Sequence, residues 1–420
     1  MKNLLKEKDT IDFVKTSFGN ILEWYDFAIY GLFAVQISAT FFPNDSSFFS
    51  LLMVFLTFAL GFVARPFGSI IFGIIGDKLG KHYAVNLSIW CMAIPTSMIG
   101  ILPSYNTLGI CAPILLIILR ICQGISAGGQ FSGLISIAVD SNSSNKQFLV
   151  SLIYAISVIG GFCASFIGFI SISLLSYFGT ESEFISSLSW RIPFILSGIF
   201  FLMYLKLRPN SNKHVDSNKS VFNLSTIFKH QPKEMIGASV LSITTNTIFY
   251  ILFAYLITYL QIHLQFTKSN AFTMINIILF ISIFMYIFFG YLSGKSTCRI
   301  KVAQIASISI MFGAILLALT HLYFWLGMAG LLLMIVAFCI IVSYTTSLFA
   351  EVFDSRYRMT ACSISFSIGV TISGFAPLIA EILSRISISG LPCFIIFICF
   401  IMLFSLRFIK QTNGYKQANV

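Results

Sequence analysis

The chain has 420 residues, of which 57% are hydrophobic and only 10% charged, with a mean hydropathy of +0.91 and a formal net charge of +11. A water-soluble domain carries about 25% charged residues, so this composition excludes a soluble enzyme or binding module and indicates a membrane protein. The cationic excess forms no basic stripe interleaved with aromatics in a polar domain, which argues against a nucleic-acid partner.

The opening segment, MKNLLKEKDTIDFVK, is charged and lacks a small-residue cleavage site. Residues 1–17 are therefore expected to be a retained cytoplasmic leader. Twelve apolar runs follow, over 18–42, 49–72, 83–103, 108–138, 147–178, 190–207, 233–262, 270–293, 301–320, 322–349, 359–384 and 388–408. About 20 apolar residues in a helix cross a ~30 Å hydrocarbon core. The runs are continuous, without the alternation of barrel strands. An all-α membrane protein with twelve transmembrane helices in two six-helix bundles is the expectation, with both termini cytoplasmic. In that orientation 21 of the 26 Lys and Arg residues fall in cytoplasmic segments and three in outer loops, as the positive-inside rule requires. Arg65 and Arg120 are left within helices.

The first helix contains GNILEWYDFAIYG. At 100° per residue Gly19, Glu23, Asp26 and Tyr30 share a face. The second holds Arg65 beside Pro66, and the fourth holds Arg120 in LRICQGISAGGQFSG. A charge at mid-bilayer costs about 2.5–3.5 kcal/mol on insertion scales and normally faces a bundle interior or a wet cavity. Glu23, Asp26, Arg65 and Arg120 are thus the expected charge network. They are candidates for handling protons, and they are predicted to meet at a hollow between the bundles. Candidate substrate contacts are Tyr30, Arg120, Gln123, Gln130, Tyr154, Asn246 and Tyr250, the polar residues on faces of the first, fourth, fifth and seventh helices. Glu381 and Arg385 stand four apart, which suits a local ion pair.

The longest polar interruption, inside 206–233, is rich in Asn, Ser and Lys and suits a flexible connector. It sets a division into an N-terminal bundle (18–208), a cytoplasmic linker (209–232), a C-terminal bundle (233–410) and a cytoplasmic tail (411–420). GIIGDKLGKH after the second helix and GYLSGKSTCR after the eighth echo each other, as in transporters built from six-helix repeats. GYLSGKS is one residue short of a phosphate-binding loop and follows no strand, so nucleotide binding is not expected. Nine scattered cysteines without a CxxC pair, and five histidines at helix ends or in loops, give no metal-ligand spacing. No cofactor or metal is expected, and no nucleophile–base pair suggests an enzyme.

Several phrases, in order, resemble the major facilitator superfamily, in its metabolite:proton symporter branch. These are GNILEWYDFAIYG, ARPFGSIIFGIIGDKLGKH, the stretch from LPSYNTLG to GGQFSG, WRIPF and TNTIFYILFAYLITYL. The likeness runs over nearly the whole chain. It implies alternating access to a central cavity in a bacterial inner membrane. It also implies uptake, with protons, of a small zwitterionic osmolyte or amino acid of the proline or betaine kind. A dicarboxylate symporter or a facilitator of the same fold is the alternative. The expected partners are that small molecule, protons and the bilayer, with a monomeric protein. The resemblance makes Gly73, Gly76, Asp77, Lys78, Gly80 and Lys81 an inner-loop gating motif. Three departures stand out: Gln130 replaces the family's carboxylate in GGEY, Gly294 stands where the family often has Asp, and the chain ends soon after the twelfth helix. Osmosensing, which the family associates with a longer tail, is therefore not carried over.

Overall fold

The computed structural model describes residues 17, 19–44, 46–69, 71–72, 81–128, 134–135, 138, 146–177, 183–207, 231–353 and 358–417. Gln130, five of the six inner-loop positions (Gly73, Gly76, Asp77, Lys78 and Gly80), most of the leader and nearly all of the linker lie outside the described residues. At Lys81 the backbone alone is described.

Among the described residues the chain makes twelve helical rods and no strand. They are α1 (Gly19–Leu32, resumed over Ala34–Phe41), α2 (Ser47–Val63), α3 (Lys81–Ile101), α4 (Cys111–Ser126), α5 (Lys146–Tyr177) and α6 (Glu183–Leu207). The second six are α7 (Pro232–Tyr250, a π-helical turn at Ile251–Tyr255, then Leu256–Ile262), α8 (Lys268–Ser293), α9 (Arg299–Ala318), α10 (Phe324–Glu351), α11 (Arg358–Ser373, resumed over Ala376–Ile386) and α12 (Gly390–Gln417). Among the described residues eight spans are long and apolar enough to cross a membrane, and shorter apolar helices lie in α3, α4 and α6. The rods match the twelve apolar runs closely, because a backbone in hydrocarbon satisfies its hydrogen bonds only within a helix.

Proline shapes two rods. Pro193 lies inside α6 and cannot donate to the carbonyl four residues earlier. The hydroxyl of Ser171 on α5 donates to that Ser189 carbonyl at 2.8 Å. The Tyr25 hydroxyl of α1 donates to the Pro193 carbonyl at 2.7 Å. Two side chains thus tie α1, α5 and α6 at the irregularity. Pro377 opens the second piece of α11, where a missing N–H is harmless.

The packing repeats with an offset of six. α1 packs on α5 and α6, as α7 packs on α11 and α12. α2 packs on α4 as α8 does on α10, and α3 packs on α4 and α6 as α9 does on α10 and α12. Between the halves α5 meets α8, and its counterpart pair, α11 and α2, also meets. Glycines permit close approach at these seams. A side chain at Gly290 of α8 would collide with Ser151 of α5, and one at Gly374 of α11 with Phe62 of α2. Thr371 of α11 donates to the Phe62 carbonyl at 3.1 Å. Among the described residues the packing of the two halves thus follows one six-helix pattern, repeated.

Candidate functional site

α1 supplies two functional faces. One carries Glu23 and Asp26, each 3% exposed. They line a small cavity inside the N-terminal half, together with Ser88 and Met92 of α3, Ser126 of α4 and Ser197 of α6. The other face carries Trp24, Phe27, Ala28 and Leu32. These line a second, narrow cavity between the halves.

The charges cluster as the sequence leads one to expect, but by an indirect route. Thr96 of α3, one residue past Pro95, places its hydroxyl 3.0 Å from Asp26 Oδ2. The side-chain amide of Gln123 donates to the same hydroxyl oxygen. Arg120 in turn donates to Gln123 Oε1 at 2.8 Å. Arg65 approaches Glu23 at 3.8 Å, an ion contact too long for a hydrogen bond. Neither arginine relies on carboxylates alone. The Arg65 guanidinium lies 4.3 Å from the centre of the Phe27 ring and 4.6 Å from that of Phe62. Arg120 lies 4.0 Å from the centre of the Tyr30 ring and 5.5 Å from that of Phe58. Aromatic faces attract such cations, by about 2 kcal/mol or more when desolvated.

The cluster is not saturated. Both carboxylate oxygens of Glu23, Oδ1 of Asp26, and two guanidinium nitrogens each of Arg65 and Arg120 are buried without a hydrogen-bond partner among the described residues. A buried polar group left so costs about 1–3 kcal/mol, more when charged. The arrangement therefore has spare capacity for a proton at the carboxylates and for an anionic group at the guanidinium edges.

The hollow between the halves is different from the one expected. The sequence reading has the four charges lining it. Instead, Phe27 and Phe58 line it, and these same rings lie against the guanidinium groups. No Asp, Glu, Lys or Arg is among its described lining residues. Its walls are Trp24, Phe27 and Phe58 from α1 and α2, and Phe249, Tyr250 and Phe253 from α7, with Ser157 of α5. The Trp24 and Phe249 ring centres stand 5.0 Å apart, edge to face.

Of the other sequence candidates, Tyr30 is fully buried under Arg120, and its hydroxyl donates to the Val54 carbonyl at 3.3 Å. Tyr250 lines the central cavity. Tyr154 packs on Tyr286 across the halves, with ring centres 5.9 Å apart. Asn246 donates to the Ser242 carbonyl at 2.9 Å, within its own helix. Neither Tyr154 nor Asn246 lines either cavity. Glu381 and Arg385 do pair, at 2.9 Å, and Tyr255 of α7 and His263, just past its end, also reach the fully buried Glu381 carboxylate. Sequence reasoning missed Thr96 and the aromatic wall. Thr96 was visible only as a polar residue beside a helix proline; Trp24, Phe249 and Phe253 carried no signal in a chain that is 15% aromatic.

The family described as Major Facilitator Superfamily matches residues 16–377 of the chain. A candidate proline/betaine transporter of Staphylococcus aureus (strain COL) is 30% identical over 393 residues, covering 90% of this chain and 83% of that protein. The proline/betaine transporter of Escherichia coli (strain K12) is 28% identical over 385 residues, covering 87% of this chain and 75% of its own length. Among solved structures, the xylose transporter from E. coli in a partially occluded inward-open conformation superposes with a TM-score of 0.75 at 13% identity. The match covers 95% of this chain and 96% of that one. At that identity the likeness speaks for the fold.

Proposed function

The chain belongs to the major facilitator superfamily and is a multi-pass membrane transporter rather than an enzyme, and from that premise we propose that it imports a small zwitterionic osmolyte or amino acid together with protons. The observation that carries this reading is the pair of buried carboxylates, Glu23 and Asp26, held beside two incompletely satisfied guanidinium groups. Glu23 and Asp26 take up and release the proton. Arg65, Arg120 and Gln123 change partners as they do so, which links protonation to the packing of α1 against α2, α3 and α4. The substrate occupies the aromatic cavity between the halves. Residues 18–208 and 233–410 rock about the 209–232 linker in a bacterial inner membrane, as a monomer with both termini cytoplasmic, and the inner-loop motif from Gly73 to Lys81 latches the inward side. A proton entering gains about 2.3 kcal/mol per 100 mV.

The relatives named for proline and betaine support a zwitterion. The lack of a basic residue among the described cavity-lining groups weighs against a dicarboxylate. Gln130, where the family carries a carboxylate, favours a second reading: a facilitator or exchanger of the same fold. Proteoliposomes decide between them. Under an inward proton gradient, labelled proline or betaine accumulates, a protonophore abolishes the accumulation, and Asp26→Asn retains counterflow alone. Wild-type accumulation indifferent to the protonophore refutes proton coupling.

A further inference from the structure

A cationic screen stands between the central cavity and the two carboxylates of α1. Arg65 rests on Phe27 and Arg120 on Phe58, and both rings line the central cavity. A proton approaching Glu23 or Asp26 from there would have to pass the two guanidinium groups, and fixed arginine charge is an effective barrier to protons in a pore. No carboxylate or imidazole is among the described lining residues of the central cavity to receive it. The Asp26 carboxylate turns the other way, toward α3. Its Oδ2 lies 3.0 Å from the Thr96 hydroxyl, and Met92, one turn earlier on α3, lines the small cavity inside the N-terminal half.

That small cavity is built differently from the central one. Its described polar walls are Glu23, Asp26, Ser88, Ser126 and Ser197, from α1, α3, α4 and α6. The Ser126 hydroxyl donates to the Gln123 carbonyl at 2.6 Å, and the Ser197 hydroxyl to the Phe194 carbonyl at 2.8 Å, each within its own helix. With those protons engaged, both oxygens keep lone pairs for an incoming donor. Carboxylates and hydroxyl acceptors suit water, which needs roughly two to four polar partners in a buried site.

The seam between α3 and α6 gives the passage its direction. Toward the end of α3 the two helices are tied: Arg191 donates to the Gly100 carbonyl at 3.1 Å, and a side chain at Gly100 would collide with Ile195. Toward the start of α3 the seam is closed by side chains. Ile89, Ala93 and Phe201 form a small apolar core of their own with Leu22 against it, and Trp90 meets Phe201 edge-on with ring centres 4.5 Å apart. Rotating a side chain is a faster and smaller motion than parting two helices.

We infer that the small cavity is the cytoplasmic leg of the proton path: a water-holding passage between α3 and α6, walled by Ser88, Ser126 and Ser197 and gated by Ile89 and Phe201. Asp26 gives its proton to water in the passage and is left as a carboxylate, with the Thr96 hydroxyl donating to it. Proton and substrate thus leave by different faces of α1. This rests on the transport reading and adds to it a route for the proton.

The test follows hydrogen–deuterium exchange at the buried carboxyls by infrared spectroscopy of the full-length protein in proteoliposomes, using the acid C=O band that Asp26→Asn and Glu23→Gln identify. Ser197→Leu and Ser88→Leu fill the passage and should slow exchange by about tenfold or more, the scale of losing one buried polar partner. Phe201→Ala removes the gate and should speed it. Gly161→Leu fills the central cavity instead and should slow proline counterflow without slowing carboxyl exchange. Amide exchange in the same spectra exposes any variant whose fold has loosened, and the filling and opening variants move the rate in opposite directions. Exchange slowed by Gly161→Leu and indifferent to Ser197→Leu and Ser88→Leu puts the proton in the central cavity; that overturns the passage and leaves proton-coupled transport standing. Exchange indifferent to every filling overturns the passage as well. An acid band unchanged by both Asp26→Asn and Glu23→Gln removes the proton-handling reading and this inference with it.

Discussion

Asp26 and Arg120 are connected through two neutral groups and make no direct ion pair. Thr96 touches the carboxylate, Gln123 touches Thr96, and Arg120 touches Gln123. The Thr96 hydroxyl has a single proton and two acceptors, Asp26 at 3.0 Å and the Met92 carbonyl at 2.8 Å. When Asp26 is ionised the hydroxyl donates to it. When Asp26 is protonated, Thr96 can accept instead and turn its own proton to Met92. A change of charge at α1 can thus be passed to α4 by reorienting one hydroxyl and one amide, without moving a charge through hydrocarbon.

Thr96→Val tests this chain. The substitution keeps the shape and removes the hydroxyl, leaving Asp26 and the Gln123 amide without that partner. The expected cost is about 1–3 kcal/mol. Proton-driven accumulation should fall by about tenfold or more, since 1.36 kcal/mol corresponds to a factor of ten in rate. Thr96→Ser should stay near wild type. Counterflow in proteoliposomes should suffer less than gradient-driven uptake. Equal losses in both would mean that Thr96 supports the fold and plays no part in coupling.

Much of this site was legible in the sequence because charge in hydrocarbon is expensive wherever it falls. Glu23, Asp26, Arg65 and Arg120 stood out against apolar surroundings, and helical periodicity set the two carboxylates on one face. What periodicity could not say is which neighbour that face meets. α1 is buried on almost every side, so Trp24 and Phe27 point to the space between the halves while Glu23 and Asp26 point into one half. Asn246 is ambiguous in the sequence for a related reason. A polar side chain in a buried helix is as well served by its own backbone as by a ligand, and here it bonds back to Ser242.

Arg65→Lys should be far from conservative. The Arg65 guanidinium lies within 4.6 Å of two ring centres, Phe27 and Phe62, while facing Glu23 at 3.8 Å. A lysine ammonium keeps the charge but loses the planar face that stacks on rings. The expected loss is about 1–2 kcal/mol, read as a lower melting temperature and a slower initial rate of uptake. Arg120→Lys should behave alike, because Arg120 also rests on aromatic rings and donates to Gln123. Wild-type uptake in both variants would show that charge alone matters.

Glu381 sets a different expectation. Its buried carboxylate receives Tyr255 at 2.8 Å, His263 at 3.2 Å and Arg385 at 2.9 Å, which fastens α7 to α11. Phe55 of the other half packs edge-on against Tyr255, with ring centres 5.7 Å apart. A hydrogen bond to a charged group contributes about 1.5–3 kcal/mol, and Glu381 holds three partners, so Glu381→Leu should lower the melting temperature more than any single substitution of Tyr255 or His263. In a double-mutant cycle Tyr255→Phe and Glu381→Gln should couple, because both break the same contact. Additive losses would show that Tyr255 acts through its packing on Phe55 alone.

Adjacent glycines on α5 separate stability from function. A methyl at Gly160 would run into the Ile21 carbonyl of α1, which is backbone and cannot yield cheaply. Gly160→Ala should therefore destabilise the N-terminal half by about 1–3 kcal/mol, the usual range for overpacking. Gly161 is open by comparison: the nearest atoms to an added methyl are Leu279 Cδ2 at 3.8 Å and Ala28 Cβ at 3.9 Å. It also lines the central cavity. Alanine is the better helix former by about 1 kcal/mol, so Gly161→Ala should melt at or above the wild-type temperature while its methyl takes space from the cavity. If substrate binds there, the apparent KM for uptake should rise with little change in protein stability. An unchanged KM in a stable Gly161→Ala protein would move the substrate site away from this cavity, because the added methyl has nowhere else to point.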